Sequence, residues 1–269
     1  MFKYRPEREL HETEPPVEKL KKFLEDAAEK LKAEGIPVNA DSRIDMRAFG
    51  GKLYSEEEIR ADAQTVENAR QKWYPSLSQE QIAEENIKTD GEQLEMLKTA
   101  VFYKNLSSDF IVVRSSGFDD IKNGVDNILV DKRTGNVVCA FDEVSDTSGQ
   151  VYEKKRSAVV NRNIKEGGAV VKYSLGIGKD KKIEPAKLDN VPIFYLSLSK
   201  GYLTKALANF QDSEKQSDFE KKLFAYFVAA INMQTKDLEL HGKKLNQQLQ
   251  KRLGDFGRVV ESMTIDLNL

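Results

Sequence analysis

Two apolar runs, Val125-Asp126-Asn127-Ile128-Leu129-Val130 and Val137-Val138-Cys139-Ala140-Phe141-Asp142-Glu143-Val144, are separated only by Asp131-Lys132-Arg133-Thr134-Gly135-Asn136. Both are rich in β-branched residues and the linker carries turn chemistry, so the pair predicts a β-hairpin. A hairpin this apolar needs further strands and helices to cover it. Side chains two apart share a face, which groups Asp126 with Ile128 and Val130, and Asp142 with Val138, Ala140 and Val144. An ionised carboxylate among apolar neighbours is costly to bury alone, and a shared divalent cation relieves that cost. The expectation is that Asp126 and Asp142 face one side of adjacent antiparallel strands and bind a metal together.

The flanking sequence supplies the cover. Val17, Leu20, Phe23, Leu24, Ala27 and Leu31 follow helical spacing to a stop at Gly35 and Pro37. Capping-box patterns at Ser55/Glu58, Ser78/Gln81 and Asp90/Gln93 open three more helices, the first ending at Trp73 before Pro75 and the last running to about Asn105. Phe110–Arg114 then reads as a strand and Ser115–Asn123 as a polar loop, whose Asp119-Asp120 reads first as a turn former. After the hairpin come a basic helix from about Tyr152 to Glu166 and strands at Ala169–Gly176 and Val191–Ser199. Gly176-Ile177-Gly178-Lys179 lacks the spacing of a phosphate loop and reads as a strand-ending turn. Leu203, Leu207 and Phe210 mark a short helix, and a leucine stripe from Phe219 to Leu253, interrupted at Gln234 and His241, gives long helices that pack within the chain. The organisation is an N-terminal helical extension (1–89), an α/β core (90–210) and a C-terminal helical region (211–269). Its fold class is α/β, with a mixed central sheet flanked by helices.

Composition narrows the chemistry. The chain has one cysteine, Cys139, inside a predicted core strand, and two histidines, His11 and His241. That excludes an internal disulfide, most zinc sites and histidine-based triads. Catalysis must rest on carboxylates, lysines and a metal. Residues 1–99 hold 16 Lys and Arg against 22 Asp and Glu, whereas residues 151–187 hold 10 against 4, so a basic surface directly follows the carboxylate hairpin. A polyanion lying there meets Arg156, Arg162 and Lys165 before the acidic pair. There is no apolar run of membrane-spanning length, and Met1-Phe2-Lys3-Tyr4-Arg5-Pro6 leads into acidic residues. The expectation is a soluble cytoplasmic protein with no membrane partner. Trp73-Tyr74 reads as an aromatic pair packing at a helix end.

The order helix, three strands, basic helix, strand, strand over about residues 90–200 resembles the core of the PD-(D/E)XK nuclease superfamily. The resemblance covers a little under half the chain. It implies magnesium or manganese held by Asp126 and by Asp142 as the first member of the triplet, with a helix acid from Glu92 or Glu95. In place of the triplet lysine stands Val144, and the frame that starts at Glu143 reads Glu143-Val144-Ser145. The resemblance therefore points to a migrated amine, with Lys154 and Lys155 nearest in sequence. The implied activity is magnesium-dependent hydrolysis of DNA or RNA. The alternative is a nuclease-like module that has lost cleavage and binds nucleic acid or a protein.

Overall fold

The computed structural model describes residues 15–134, 137–144, 147–178 and 182–267. His11, Gly135 and Asn136 of the hairpin turn, Ser145 and Lys179 lie outside the described residues, as do the side chains of Val138 and Val144.

Helix α1 (Pro16–Ala33) buries Leu20, Phe23, Leu24, Ala27, Ala28 and Leu31, the stripe its spacing predicts. Helices α2 (Glu56–Trp73) and α3 (Gln79–Asn86) open on reciprocal capping boxes at Ser55/Glu58 and Ser78/Gln81. Helix α4 (Asp90–Leu106) differs, because its cap is Thr89 and not Asp90. The Thr89 hydroxyl donates to Asn86 O at 2.7 Å and accepts from Glu92 N–H at 3.2 Å, so the turn from α3 already fixes the cap one residue earlier.

Strands β1 (Phe110–Arg114), β2 (Asn127–Asp131) and β3 (Val137–Val144) form an antiparallel meander. A short helix, α5 (Gly117–Asn123), lies inside the stretch expected to be loop; the Ser116 hydroxyl caps it by accepting from Asp119 N–H at 3.0 Å. Helix α6 (Gly149–Lys165) and a separate antiparallel ribbon, β4 (Ala169–Ile177) with β5 (Ile183–Val191), intervene before β6 (Ile193–Ser197). Strand β6 lies parallel to β3, giving the sheet order β1-β2-β3-β6. A parallel neighbour needs such a crossover. The sequence reading found β6 and missed β5, whose Glu184, Lys187 and Asp189 are exposed and which carries Pro185.

Helices α7 (Lys200–Asn209), α8 (Asp218–Leu240) and α9 (Gln247–Asp266) complete the cover. Phe102 of α4 packs on Phe141 of β3 and on Phe224 and Phe227 of α8, with ring centroids 5.4–5.8 Å apart. Phe194 of β6 meets Phe256 of α9 at 5.1 Å, and Phe23 of α1 meets Tyr103 and Phe210. The N-terminal, central and C-terminal segments thus share one hydrophobic core.

Each sheet edge meets hydrogen-bond partners from elsewhere in the chain. Residues 42–44 pair with β1, Ile44 N–H donating to Arg114 O and Arg114 N–H to Ser42 O, each at 3.0 Å. On β6 the Gln234 side chain of α8 acts as a one-residue strand: its Oε1 accepts from Tyr195 N–H at 3.1 Å and its Nε2 donates to Tyr195 O at 2.8 Å.

Candidate active site

Ile128, Leu129 and Val130 are all buried, so β2 is covered on both faces and its alternation does not reveal which side an acid takes. Asp126 in fact precedes β2. Its N–H donates to Phe141 O at 2.8 Å, and its carboxylate accepts from Glu143 N–H at 2.7 Å. Asp142 instead forms an ion pair with the Lys155 ammonium of α6. Burial pushes the Asp126 carboxyl well above the usual carboxylate range, and Glu143, Asp142 and Asp120 push it further. Burial also raises Asp142, against the pull of Lys155. Burial opposes the charge on Lys155, yet Asp126, Asp142 and Glu143 together hold its pKa above the ordinary lysine value.

The strand acids therefore divide differently from expectation. Asp126 lines an open cleft of about 170 Å³ together with Glu92, Glu95, Asp120, Glu143 and Lys155. Asp142 does not line it; the second strand carboxylate at the cleft is Glu143. Glu143 forms a fully buried ion pair with Lys98 of α4, whose ammonium also lies 4.6 Å from the centre of the Phe141 ring. Apart from this ammonium and the neighbouring Asp126 carboxyl, no partner among the described residues reaches the Glu143 carboxylate oxygens.

The two helix acids are held by arginines. Glu95 accepts from Arg114 Nε at 2.8 Å and Arg43 at 3.1 Å, while Glu92 accepts from Arg114 and from Asn86 at 2.9 Å. Arg43 also donates to Asp120 at 3.0 Å, and Arg114 to Asp41 at 3.1 Å. Burial alone would raise the Glu95 pKa, but Arg114 and Arg43 outweigh it and hold the pKa at about 2. Asp120 behaves in the opposite way. Burial lifts it to about 6 in spite of Arg43, helped by Glu95 and Glu92. Its neighbour Asp119 is a staple, accepting from Lys172 N–H at 2.7 Å and Tyr173 N–H at 2.9 Å to tie α5 to β4.

On the basic helix, Lys155 reaches the strand acids, whereas Lys154 is exposed and does not line the cleft. Arg156 and Lys165 are exposed as expected. Arg162 has a different use, donating to Asn123 O and Gly124 O, the latter at 3.1 Å. Gly124 closes α5 in the left-handed region, φ 52°, and a Cβ there would meet the guanidinium at 3.1 Å. Arg162 is thus a clamp on the loop that delivers Asp126, not a free phosphate ligand.

The sequence reading missed Lys98, Arg43 and Arg114. A signal existed for Lys98: it stands among Leu94, Met96, Leu97, Ala100 and Val101 in a helix buried on every side, where an unpaired ammonium is not tolerated.

Among the described residues, no group of three or more His, Cys, Asp and Glu side chains is arranged to hold a metal ion. At the cleft wall the two strand carboxylates are Asp126 and Glu143. The first is crowded by negative charge and the second is paired from the core side by Lys98, so a cation held there would rest on these two. Two carboxylates suffice for magnesium when water and phosphate complete its shell. Comparison with known protein families, with curated proteins and with solved structures returns no match to this chain.

Proposed function

We propose that the protein is a magnesium-dependent phosphodiesterase acting on nucleic acid, with Asp126 and Glu143 as the cation-holding pair. The observation that carries this reading is the pairing of a crowded, buried carboxylate, Asp126, with a second one, Glu143, that is met by Lys98 from the core side, both at the wall of an open cleft. A buried titratable group pushed from its ordinary value inside a cleft is a candidate for a functional site. The order α4, β1, α5, β2, β3, α6, β6, with the β4–β5 ribbon set apart from the sheet and β6 parallel to β3, is in keeping with the resemblance to the PD-(D/E)XK core.

Each group then has a role that follows from its position. Bound magnesium would lower the pKa of a coordinated water and offset charge on the phosphate. Lys155 stands at the cleft beside Asp126 and Asp142, where its ammonium orients a water or holds a phosphate oxygen. Lys98 pairs with Glu143 from inside the core and supplies an amine where position 144 has valine. The arginine-held Glu92 and Glu95 fix α4 against the sheet. Arg156 and Lys165 supply the exposed positive surface beyond.

The valine at position 144 is also the best support for a binding module without hydrolysis. Incubating the full chain with labelled single- and double-stranded DNA and RNA separates the two readings. A hydrolase cuts one of these with magnesium or manganese and stops when a chelator is added. Binding without cutting on every substrate would leave the binding module in its place.

A further inference from the structure

Trp73 is the only tryptophan of the chain, and its ring is not packed: the residue is 62% exposed. Helix α2 ends there, because Tyr74 leaves helical geometry ahead of Pro75. The indole therefore projects from the rim of the acid cleft, which Arg70 and Trp73 also line. A second depression of about 350 Å³ adjoins it on the far side, sharing Trp73 and Ile121 and lined further by Thr65, Asn68, Lys72 and Lys122. No carboxylate lines this groove, and Lys72 and Lys122 form no ion pair among the described residues. A large exposed aromatic thus stands between two cations beside a cleft of carboxylates.

Resting on the nucleic-acid reading of the cleft, we infer that Trp73 is a base-stacking platform and that the substrate is single-stranded. An indole offers a flat π-face, and every nucleobase can stack on it when its own face is free. Within a duplex both faces are taken by neighbouring base pairs, so face-on stacking selects unpaired bases. Lys72 and Lys122 then hold the phosphates that flank the stacked base. The strand runs from this groove past Trp73 into the cleft, where Arg70 meets the next phosphate and the acids and Lys155 meet the one beyond.

The test uses the tryptophan itself. In the presence of chelator, so that cutting cannot interfere, an oligothymidylate strand should quench the intrinsic tryptophan fluorescence, and a blunt duplex of equal length should not. By anisotropy of a labelled strand, Trp73→Ala should weaken binding about tenfold and Trp73→Phe by no more than about twofold, since a smaller aromatic still stacks. Strand binding by anisotropy without quenching, or with Trp73→Ala unchanged, would overturn the platform and leave the nuclease reading intact. Equal quenching by duplex would overturn the substrate class. Quenching retained in a protein that cuts nothing under any metal would remove the nuclease reading and keep the platform. Absence of binding to any strand, as for a surface that receives a protein, would overturn both.

Discussion

The cleft has two acid clusters that differ in how their charge is met. On the α4 side, Glu92, Glu95, Asp41 and Asp120 surround Arg43 and Arg114, and each carboxylate contacts a guanidinium. On the strand side, Lys98 and Lys155 take Glu143 and Asp142, and Asp126 accepts the Glu143 N–H but has no ion pair of its own among the described residues. Planar guanidinium groups fix several carboxylates at once, whereas an ammonium acts as a point charge on a flexible stem. The first cluster is accordingly a lock that holds α4, β1 and the 41–45 segment together. The second is left short of positive charge where the cleft opens. Charge neutralised within the fold serves the fold, and charge positioned but not neutralised is available to a ligand.

That comparison breaks most visibly at Asp126. Asp126→Asn keeps the shape and removes the charge, so cutting should fall by roughly 10²–10³-fold. Stability at neutral pH should hold or rise, because the substitution removes a charge that burial and neighbouring carboxylates disfavour. A parallel urea titration checks this: a large loss of stability would place Asp126 with the structural cluster instead.

Glu95→Gln sharpens the other half. The carboxyl is held at about 2 against an ordinary 4.5, a depressed value, so its contribution to stability is fully present above pH 4.5. It is lost as pH falls from 4.5 through about 2. The variant should lose about 3 kcal/mol at pH 7, the usual cost of removing one partner from a buried ion pair. The gap between variant and wild type should close on acidification through that window. Denaturant midpoints across pH 2–7 measure it, and a gap independent of pH would show that the arginines do not depend on the Glu95 charge.

The smallest effect separates solvated from committed cations on α6. Arg156→Glu with Lys165→Glu should weaken nucleic-acid binding and reduce its salt slope by about one per lost phosphate contact. Arg162→Gln should act on stability, by about 1–2 kcal/mol, because its donors hold the carbonyls of Asn123 and Gly124. A salt slope that responds to Arg162 and ignores the other two would reverse the assignment.

What was legible in the sequence was whatever local chemistry decides. The capping boxes at Ser55 and Ser78, the apolar stripe of α1 and the hairpin at β2–β3 all follow from short-range pattern. Asp126 was singled out by the same pattern, although it precedes β2 and alternation did not set its side. The role of Asp142 was not, because the two-residue period assumes a strand with one wet face and this sheet is covered on both. Lys155 was found by its nearness in sequence to the hairpin. Arg43, Arg114 and Lys98 reach the site across long sequence separations, so no local pattern marks their partners. Strand β5 was hidden by composition, since a half-exposed ribbon with Glu184, Lys187 and Asp189 resembles a polar loop.

The Gln234 amide carries one more consequence. It occupies both hydrogen-bonding groups of Tyr195 on the outer side of β6, while residues 42–44 occupy those of Arg114 in β1 at the opposite margin. Strand edges with vacant backbone groups are the usual starting points for cross-β growth between molecules, and a molecule can escape that fate by filling them from within. Here two side-chain amides on helices close one margin, Asn163 at Ile193 and Gln234 at Tyr195. Gln234→Leu would keep the helix and free the Tyr195 pair, converting a self-contained sheet into a template on which another chain can crystallise its own strand.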